Sequence, residues 1–329
     1  MSAVFDALPG IEVPVGEINA RLDALWTTSA AEGRPSLTAE DAKATQVNFV
    51  LHFGFRTTPE DATRQFQTVV RFAQRYPSRI VVLCPLADET KAHPEMRAKI
   101  YGECFLGRSR SDKRCVEFVL LSYPVGTRQF LEDQVSICLS ADLPLYYWAH
   151  RFSASSRLAD YRYLLGRAKR VLIDSAVAPE DALTYAWPRP ESLRDLACAR
   201  ILPVRQSIGQ FLASYSPDML ATGLRRVVVS HGPGLPAEAA ALGRWLQERV
   251  TACGATPETP VTCTEVDGLK SGLTASFDYG EPRKYFRWHG DFSTHEALFE
   301  AQLGASTTRL PAAVSILAPE NALSEAMFF

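Results

Sequence analysis

Two stretches decide the fold, DLPLYYW at residues 142–148 and RVLIDS at residues 170–175. Each holds an unbroken apolar run, at 145–148 and 171–173, which is typical of strands covered on both faces of a sheet. The segment between them, 156–168, spaces its apolar residues as a helix does. A strand, a crossover helix and a second strand form a βαβ unit, so the sequence predicts a parallel sheet.

The first half of the chain repeats this α/β pattern. The turn TPED at 58–61 predicts a helix start, with Thr58 as N-cap, Pro59 in the first helical position and Asp61 closing the capping box. The helix that follows should bury one stripe against a sheet. Further elements are predicted as strands at 47–53 and 79–84, a hairpin of 99–107 with 114–123, and a helix at 129–139.

The second half predicts another α/β domain. The segment WPRP at 187–190 interrupts any helix and marks the join. Helices are expected at 192–199, 204–215 and 237–250, and strands at 225–230, 261–266, 273–277, 284–289 and 313–317, so the chain should end in antiparallel strands. We therefore predict three regions: an N-terminal helical arm (1–45), an α/β domain with a mostly parallel sheet (46–186), and a C-terminal α/β domain with antiparallel strands (187–329).

Composition limits the partners. The 329 residues are 47% hydrophobic and carry 35 Lys and Arg against 37 Asp and Glu, a formal net charge of -2. A chain without a positive field is not expected to bind nucleic acid or anionic lipid. The sequence also predicts neither a signal peptide nor a membrane helix, so a cytoplasmic protein is expected. Nothing in the composition predicts its state of self-association.

Cysteine usage fits a reducing compartment. Seven cysteines are spread along the chain without a CxxC pair or a Cys/His cluster, so no metal site is predicted. Cys104 and Cys115 lie symmetrically about residues 109–110, so the predicted hairpin would set them on opposite strands within disulfide range. The pattern leaves open a redox pair or two reduced core thiols.

The sharpest enzyme-like motif is SHGPGLPA at 230–237, where a strand leads into G-x-G-x-x-A and a helix. Gly232 and Gly234 would then cradle a phosphate, as in dinucleotide-binding loops. Pro233 and Pro236 argue against this interpretation because each removes a backbone N–H from the loop. A structural turn with Pro236 opening the helix is the alternative.

Aromatic and basic residues follow one another at the end of the first quoted strand. Tyr147, Trp148, His150 and Arg151 have the composition of a protein interface, and Arg205 is added as a candidate contact. Side chains alternate along a strand, so at least one aromatic here belongs to the core, and Trp148 fits either role. The terminal Phe328 and Phe329 would dock on this protein or on a partner.

The sequence of several segments resembles that of the glucose-6-phosphate dehydrogenase assembly protein family, OpcA. The segments are YPSRI (76–80), the two quoted strands, DL (195–196) and LPVR (202–205), and the resemblance covers about 76–250. The chain departs from the family pattern at Cys198 and Val204, where tryptophan is common. The resemblance implies a protein that binds glucose-6-phosphate dehydrogenase, favours its active oligomer and promotes the oxidative pentose phosphate pathway. Some members of the family are associated with redox control of the dehydrogenase, so the resemblance makes Cys104 and Cys115 a candidate redox pair.

The candidate chemistry does not converge on an active site. The six histidines are scattered, and none stands beside a nucleophile elbow. We therefore expect a non-catalytic protein that needs no cofactor and acts through protein–protein contacts, and the resemblance to the OpcA family implies that it is an allosteric activator. The alternative is a nucleotide- or phosphate-binding enzyme or sensor that uses the loop from Gly232 to Ala237.

Overall fold

The computed structural model describes residues 3–31, 46–86, 95–106 and 113–329. The chain divides into two compact units: Met1–Asp195 together with Leu323–Phe329, and Leu196–Ala322. This division falls after Asp195, later than the join we predicted at 186/187. Both units are α/β, as the sequence predicts. Among the described residues, no helix is both long and apolar enough to cross a membrane.

The first unit is built on an eight-stranded sheet of order β1-β4-β5-β3-β2-β6-β7-β8. The six strands from β5 to β8 pair in parallel, whereas β4 pairs antiparallel with β5 and β1 antiparallel with β4. The predicted βαβ unit is confirmed by β6, β7 and their parallel pairing. The strands are β1 (Ile11–Val13), β2 (Val47–Phe53), β3 (Ser78–Leu86), β4 (Arg97–Leu106), β5 (Lys113–Pro124), β6 (Leu145–His150), β7 (Ala168–Ile173) and β8 (Leu193–Asp195).

Helices cover this sheet because its central strands are apolar on both sides. All residues of β2 and β6 are buried. The predicted stripe of the third helix is confirmed, since Phe66 and Val69 are fully buried. The described α-helices of this region are α1 (Ala3–Ala7), α2 (Ile18–Ala31), α3 (Pro59–Ala73), α4 (Leu131–Cys138) and α5 (Arg162–Arg167).

The end of the chain belongs to the first unit. Phe328 packs its ring against Phe72, Tyr76 and Tyr146, with centroid distances of 6.1, 4.8 and 5.6 Å. Phe328 therefore docks on this protein, while Phe329 is 81% exposed.

The second unit holds a six-stranded sheet of order β10-β9-β11-β12-β13-β14. Its strands are β9 (Leu224–His231), β10 (Val261–Glu265), β11 (Gly272–Tyr279), β12 (Tyr285–Asp291), β13 (Glu296–Gln302) and β14 (Thr308–Ala313). The later helices are α6 (Leu196–Arg200), α7 (Leu202–Leu212), α8 (Pro217–Ala221), α9 (Pro236–Ala252) and α10 (Pro319–Phe328). The strands from β11 onward are antiparallel, as predicted, but β10 lies parallel to β9 through the crossover helix α9.

One predicted helix and one predicted strand differ from the structure, and one strand was not predicted. We predicted a helix at 192–199, and only its second half is helical, as α6 (Leu196–Arg200), because Leu193–Asp195 forms β8 by pairing with β7 at the sheet edge. We missed β13, and we placed the last strand at 313–317 instead of Thr308–Ala313.

Candidate functional site

Asp61 ties the first turn of α3 to the end of β6. Its Oδ2 accepts hydrogen bonds from His150 Nε2 at 2.7 Å and from Arg151 Nε at 2.6 Å. Its Oδ1 accepts from Arg64 and Gln65, each at 3.1 Å. Thr58 is the N-cap, as predicted, because its hydroxyl accepts from the backbone N–H of Asp61 at 3.2 Å. The Asp61 carboxylate, however, bonds across to β6 and not back to the cap.

The charge on Asp61 is held by these partners. The residue is only 4% exposed. Burial alone would raise the pKa of Asp61. The hydrogen bond and charge of His150, together with the hydrogen bonds that Gln65 and Arg64 donate to Asp61, instead hold that pKa well below the usual range. The carboxylate is thus ionised and fully engaged inside the protein, where it acts as an anchor between helix and strand.

The backbone segments that follow β2 and β6 lie in contact beside this anchor. The strand order runs to β3 on one side of β2 and to β6 and β7 on the other, so β2 and β6 flank the topological switch point. Open α/β sheets bind ligands at the carboxyl ends of such strands. Here the Gly54 N–H donates to the His150 carbonyl at 2.6 Å, and a Cβ on Gly54 would lie 2.3 Å from the Arg151 carbonyl oxygen. The two chain segments are therefore in direct backbone contact at the switch point.

Aromatic and cationic side chains lie beside this backbone contact. Phe55 is 49% exposed, Arg56 is exposed, and the side chains of Arg64 and Arg151 are 68% and 34% exposed. We call these four residues the carboxyl-edge surface. Exposed Glu60 lies in the first turn of α3, next to Asp61. The region therefore combines three guanidinium groups with two carboxylates, those of Glu60 and Asp61. Aromatic residues and arginine are enriched at protein interfaces, so this surface has the composition for binding another protein.

The predicted contact residues are divided by the structure. Tyr147, Trp148 and His150 are buried, so they form core and not surface. Arg151 reaches solvent beside His150 and Asp61. Arg205 is half-buried in α7 and belongs to the second unit, whereas the other four belong to the first.

Sequence analysis missed Phe55, Arg56 and Arg64, and it assigned Asp61 only to a cap. A signal was present, because Phe55 and Arg56 follow directly after the buried strand β2, and residues at the carboxyl end of a parallel strand share an edge with those after β6. The link from Asp61 to His150 spans 89 positions, and no local pattern indicates it.

A second polar cluster lies inside the first unit. His52 is fully buried, with Nδ1 hydrogen-bonded to the Tyr147 hydroxyl at 2.8 Å and Nε2 to the Tyr123 hydroxyl at 2.7 Å. The Tyr123 hydroxyl also meets that of Tyr161 at 2.6 Å. Burial lowers the pKa of His52 to about 3, so the imidazole is neutral at physiological pH. Both ring nitrogens are satisfied within the core, which suits a structural role.

The glycine loop of the second unit is covered by the chain itself. A Cβ on Gly232 would lie 1.8 Å from the Leu269 carbonyl oxygen, so Gly232 is required by that close approach. Gly234 has a φ of 89° and forms the turn, and Pro236 occupies the first turn of α9 as predicted. The backbone of residues 269–270 therefore covers one side of Gly232, whereas a Cβ on Gly234 would meet no atom within 4 Å.

The predicted cysteine pair is in register. Cys104 in β4 lies directly opposite Cys115 in β5, and the two form a disulfide. Cys115 is buried and Cys104 is half-buried. Among the described residues, no group of three or more His, Cys, Asp and Glu side chains is placed to hold a metal ion.

Comparison with known proteins gives little for this chain. No known family profile and no curated protein matches it. It is similar to the solved structure of dipicolinate-bound dihydrodipicolinate reductase from Paenisporosarcina sp. TG-14, with 10% identity and a TM-score of 0.35 over 86% of this chain and 92% of that chain. It is also similar to KijD10, a 3-ketoreductase from Actinomadura kijaniata solved with TDP-benzene and NADP, with 9% identity and a TM-score of 0.40 over 85% and 88%. Both scores are too low to carry an argument about function.

Proposed function

We propose that this chain is a non-catalytic assembly factor that binds glucose-6-phosphate dehydrogenase and favours its active oligomer. The identity of the partner comes from the resemblance of residues 76–250 to the OpcA family. The observation that carries the non-catalytic part is steric. At two places where an α/β protein could hold a small ligand, the β2–β6 switch point and the glycine loop, backbone of this chain lies directly against Gly54 and Gly232.

The carboxyl-edge surface is the proposed contact. Phe55 would supply apolar contact area, and Arg56, Arg64 and Arg151 would pair with carboxylates of the partner. The Asp61 anchor fixes the Arg151 side chain through its Nε, which leaves the rest of the guanidinium group for a partner. A surface held in place before binding loses less conformational entropy on association.

Activation would follow from differential binding. A protein that binds the competent oligomer of the dehydrogenase more tightly than its inactive form shifts the population toward the competent oligomer. The effect on activity is limited by the ratio of the two affinities, because a protein with equal affinity for both forms shifts nothing. Glucose 6-phosphate and NADP would be ligands of the dehydrogenase and not of this chain.

The test is co-expression with the glucose-6-phosphate dehydrogenase of the same organism. Capture of this chain should retain the dehydrogenase, and the captured complex should turn over faster per dehydrogenase subunit than the free enzyme. Absence of both co-purification and a change in rate would reject the proposal.

Matched variants locate the contact. Arg56→Glu should weaken capture at least tenfold, because it places a carboxylate where the partner is expected to present one. Arg283→Glu, at an exposed position of the second unit, makes the same change of charge and should leave capture unchanged. Equal loss in both variants would point to net charge and not to the carboxyl-edge surface.

A further inference from the structure

The strand β10 leaves one side of the second sheet open. Among the described strands it pairs only with β9, at the edge of the sheet, and its residues from Thr262 to Glu265 are exposed. The opposite edge strand, β14, carries Arg309 and Pro311, which are the residue types that natural proteins use to block edge pairing. In β10 proline and charged residues stand only at the ends, as Pro260 just before the strand and Glu265 at its last position, and the centre, Thr-Cys-Thr, has neither.

The ladder to β9 fixes which groups of β10 point outward. Val227 N–H donates to the Pro260 carbonyl, and Val266 N–H donates to the His231 carbonyl, both at 2.9 Å. Alternate residues of a strand direct their backbone groups to the same side, so Thr262 and Thr264 bond to β9. Val261, Cys263 and Glu265 therefore direct their N–H and C=O groups away from the sheet, and no described strand pairs with them there.

We infer that two copies of this chain associate through β10, with the strands antiparallel about a two-fold axis at Cys263. In this register Cys263 opposes Cys263 of the second copy, Thr262 opposes Thr264, and Val261 opposes Glu265. Each outward residue then exchanges hydrogen bonds with its opposite, and the whole strand is paired. A closed two-fold contact of this kind is isologous and ends at the dimer.

The residues of β10 are compatible with a second copy in this register. Glu265 meets Val261 and not another carboxylate, so no like charges lie directly opposite each other. The Thr–Thr pairs lie on the exposed face, where threonines favour cross-strand pairing. The edge is short compared with a standard interface, so the dimer should dissociate in roughly the micromolar range. The inference does not depend on the proposed function.

The test is sedimentation velocity of the full chain over a dilution series. The wild type should be dimeric at ~100 µM and dissociate on dilution. T262E/T264E places glutamates opposite each other across the axis and should weaken association at least tenfold. T262K/T264E changes the same two exposed positions but pairs lysine with glutamate, and it should remain dimeric. A near-ultraviolet circular dichroism spectrum like that of the wild type establishes that each variant is folded.

A thiol cross-link tests the register. Opposed residues that exchange both hydrogen bonds have Cα atoms about 5.5 Å apart, so a short bismaleimide should join the two Cys263 thiols. The covalent dimer should be absent in Cys263→Ser. The inference is overturned by a wild type that stays monomeric at ~100 µM, by T262E/T264E associating as tightly as the wild type, by loss of the dimer in both double variants, or by a cross-link that persists in Cys263→Ser.

Discussion

The backbone of Gly54 lies against the carbonyl oxygen of Arg151 so closely that a Cβ on Gly54 would be 2.3 Å from it. At this contact Arg151 has a φ of 54°, a value that residues other than glycine rarely adopt. Gly54→Ala should therefore push β2 and β6 apart and destabilise the protein by about 2–4 kcal/mol. Urea unfolding of the variant measures this loss.

The control for Gly54 is Gly126. A Cβ on Gly126 would meet nothing within 4 Å, and its φ lies outside the left-handed region. Gly126→Ala should thus change the free energy of unfolding by about 0.5 kcal/mol or less, or stabilise slightly. Equal losses in the two variants would mean that the close approach to Arg151 is not the cause.

The Asp61 anchor is expected to matter through the charges that it neutralises. Asp61→Asn removes the acceptor charge and leaves His150 and Arg151 without their shared carboxylate. We expect a loss of about 2–4 kcal/mol at pH 7, measured by urea unfolding. Since the pKa of Asp61 is depressed, its contribution is complete above the ordinary carboxyl pKa and declines as the pH falls below it. The difference between wild type and variant should therefore shrink in acid; a constant difference would contradict the anchor.

The parallel core was predictable because its signal is local. Apolar runs in β6 and β7 with a helical segment between them can form few structures other than βαβ. The three residues of β8 have no such pattern, and their strand exists only because β7 offers an edge. The strand β13, EALFEAQ, consists largely of helix-forming residues, yet it buries alternate side chains between β12 and β14.

The candidate site was less predictable than the fold. The composition of residues 147–151 drew attention to the end of β6, but burial removes Tyr147 and Trp148 from the surface. A run that is apolar throughout does not indicate which of its residues are buried and which reach the surface. The cationic neighbours Arg56 and Arg64 come from a separate stretch of the chain, and only the parallel pairing of β2 with β6 puts the two strand ends side by side.

His52 should make stability depend on pH. Its pKa is about 3 in the folded protein against about 6.5 when unfolded. Between these values the unfolded state binds the proton, so the contribution to stability is complete above pH ~6.5 and falls by up to about 1.4 kcal/mol per pH unit toward pH ~3. His52→Gln can still hydrogen-bond the tyrosines but does not titrate. The free energy of unfolding of the wild type minus that of the variant should thus decrease from pH ~6.5 to pH ~4.5; a flat difference would refute the assignment.

The disulfide between Cys104 and Cys115 should stabilise the β4–β5 hairpin. The two residues are 11 positions apart, and a loop of this length contributes about 2–3 kcal/mol by restricting the unfolded chain. A reductant should lower the melting temperature of the wild type and leave that of C104S/C115S unchanged. Thiol labelling checks the bond directly, since identical labelling of both cysteines with and without reductant would contradict it. Redox control would further require that reduction alter capture of the dehydrogenase.

The glycine loop distinguishes the proposed function from a nucleotide-binding one. Gly232→Ala forces a methyl group against the Leu269 carbonyl, so it should destabilise the protein by about 3 kcal/mol or more. Gly234→Ala meets no atom within 4 Å but must adopt a φ of 89°, which costs about 1–2 kcal/mol. Packing alone therefore predicts that Gly232→Ala destabilises the protein more than Gly234→Ala does. Thermal unfolding of the two variants measures this difference.

The same variants decide whether the loop holds a ligand. A ligand that binds only the folded state raises the melting temperature. Because the backbone of residues 269–270 covers Gly232, we expect NADP and ATP to leave the melting temperature of the wild type unchanged at millimolar concentration. Gly234→Ala preserves the space around the loop while altering the backbone that a phosphate would contact, so it is the matched control. A rise with nucleotide in the wild type that disappears in Gly234→Ala would favour a nucleotide-binding protein over an assembly factor.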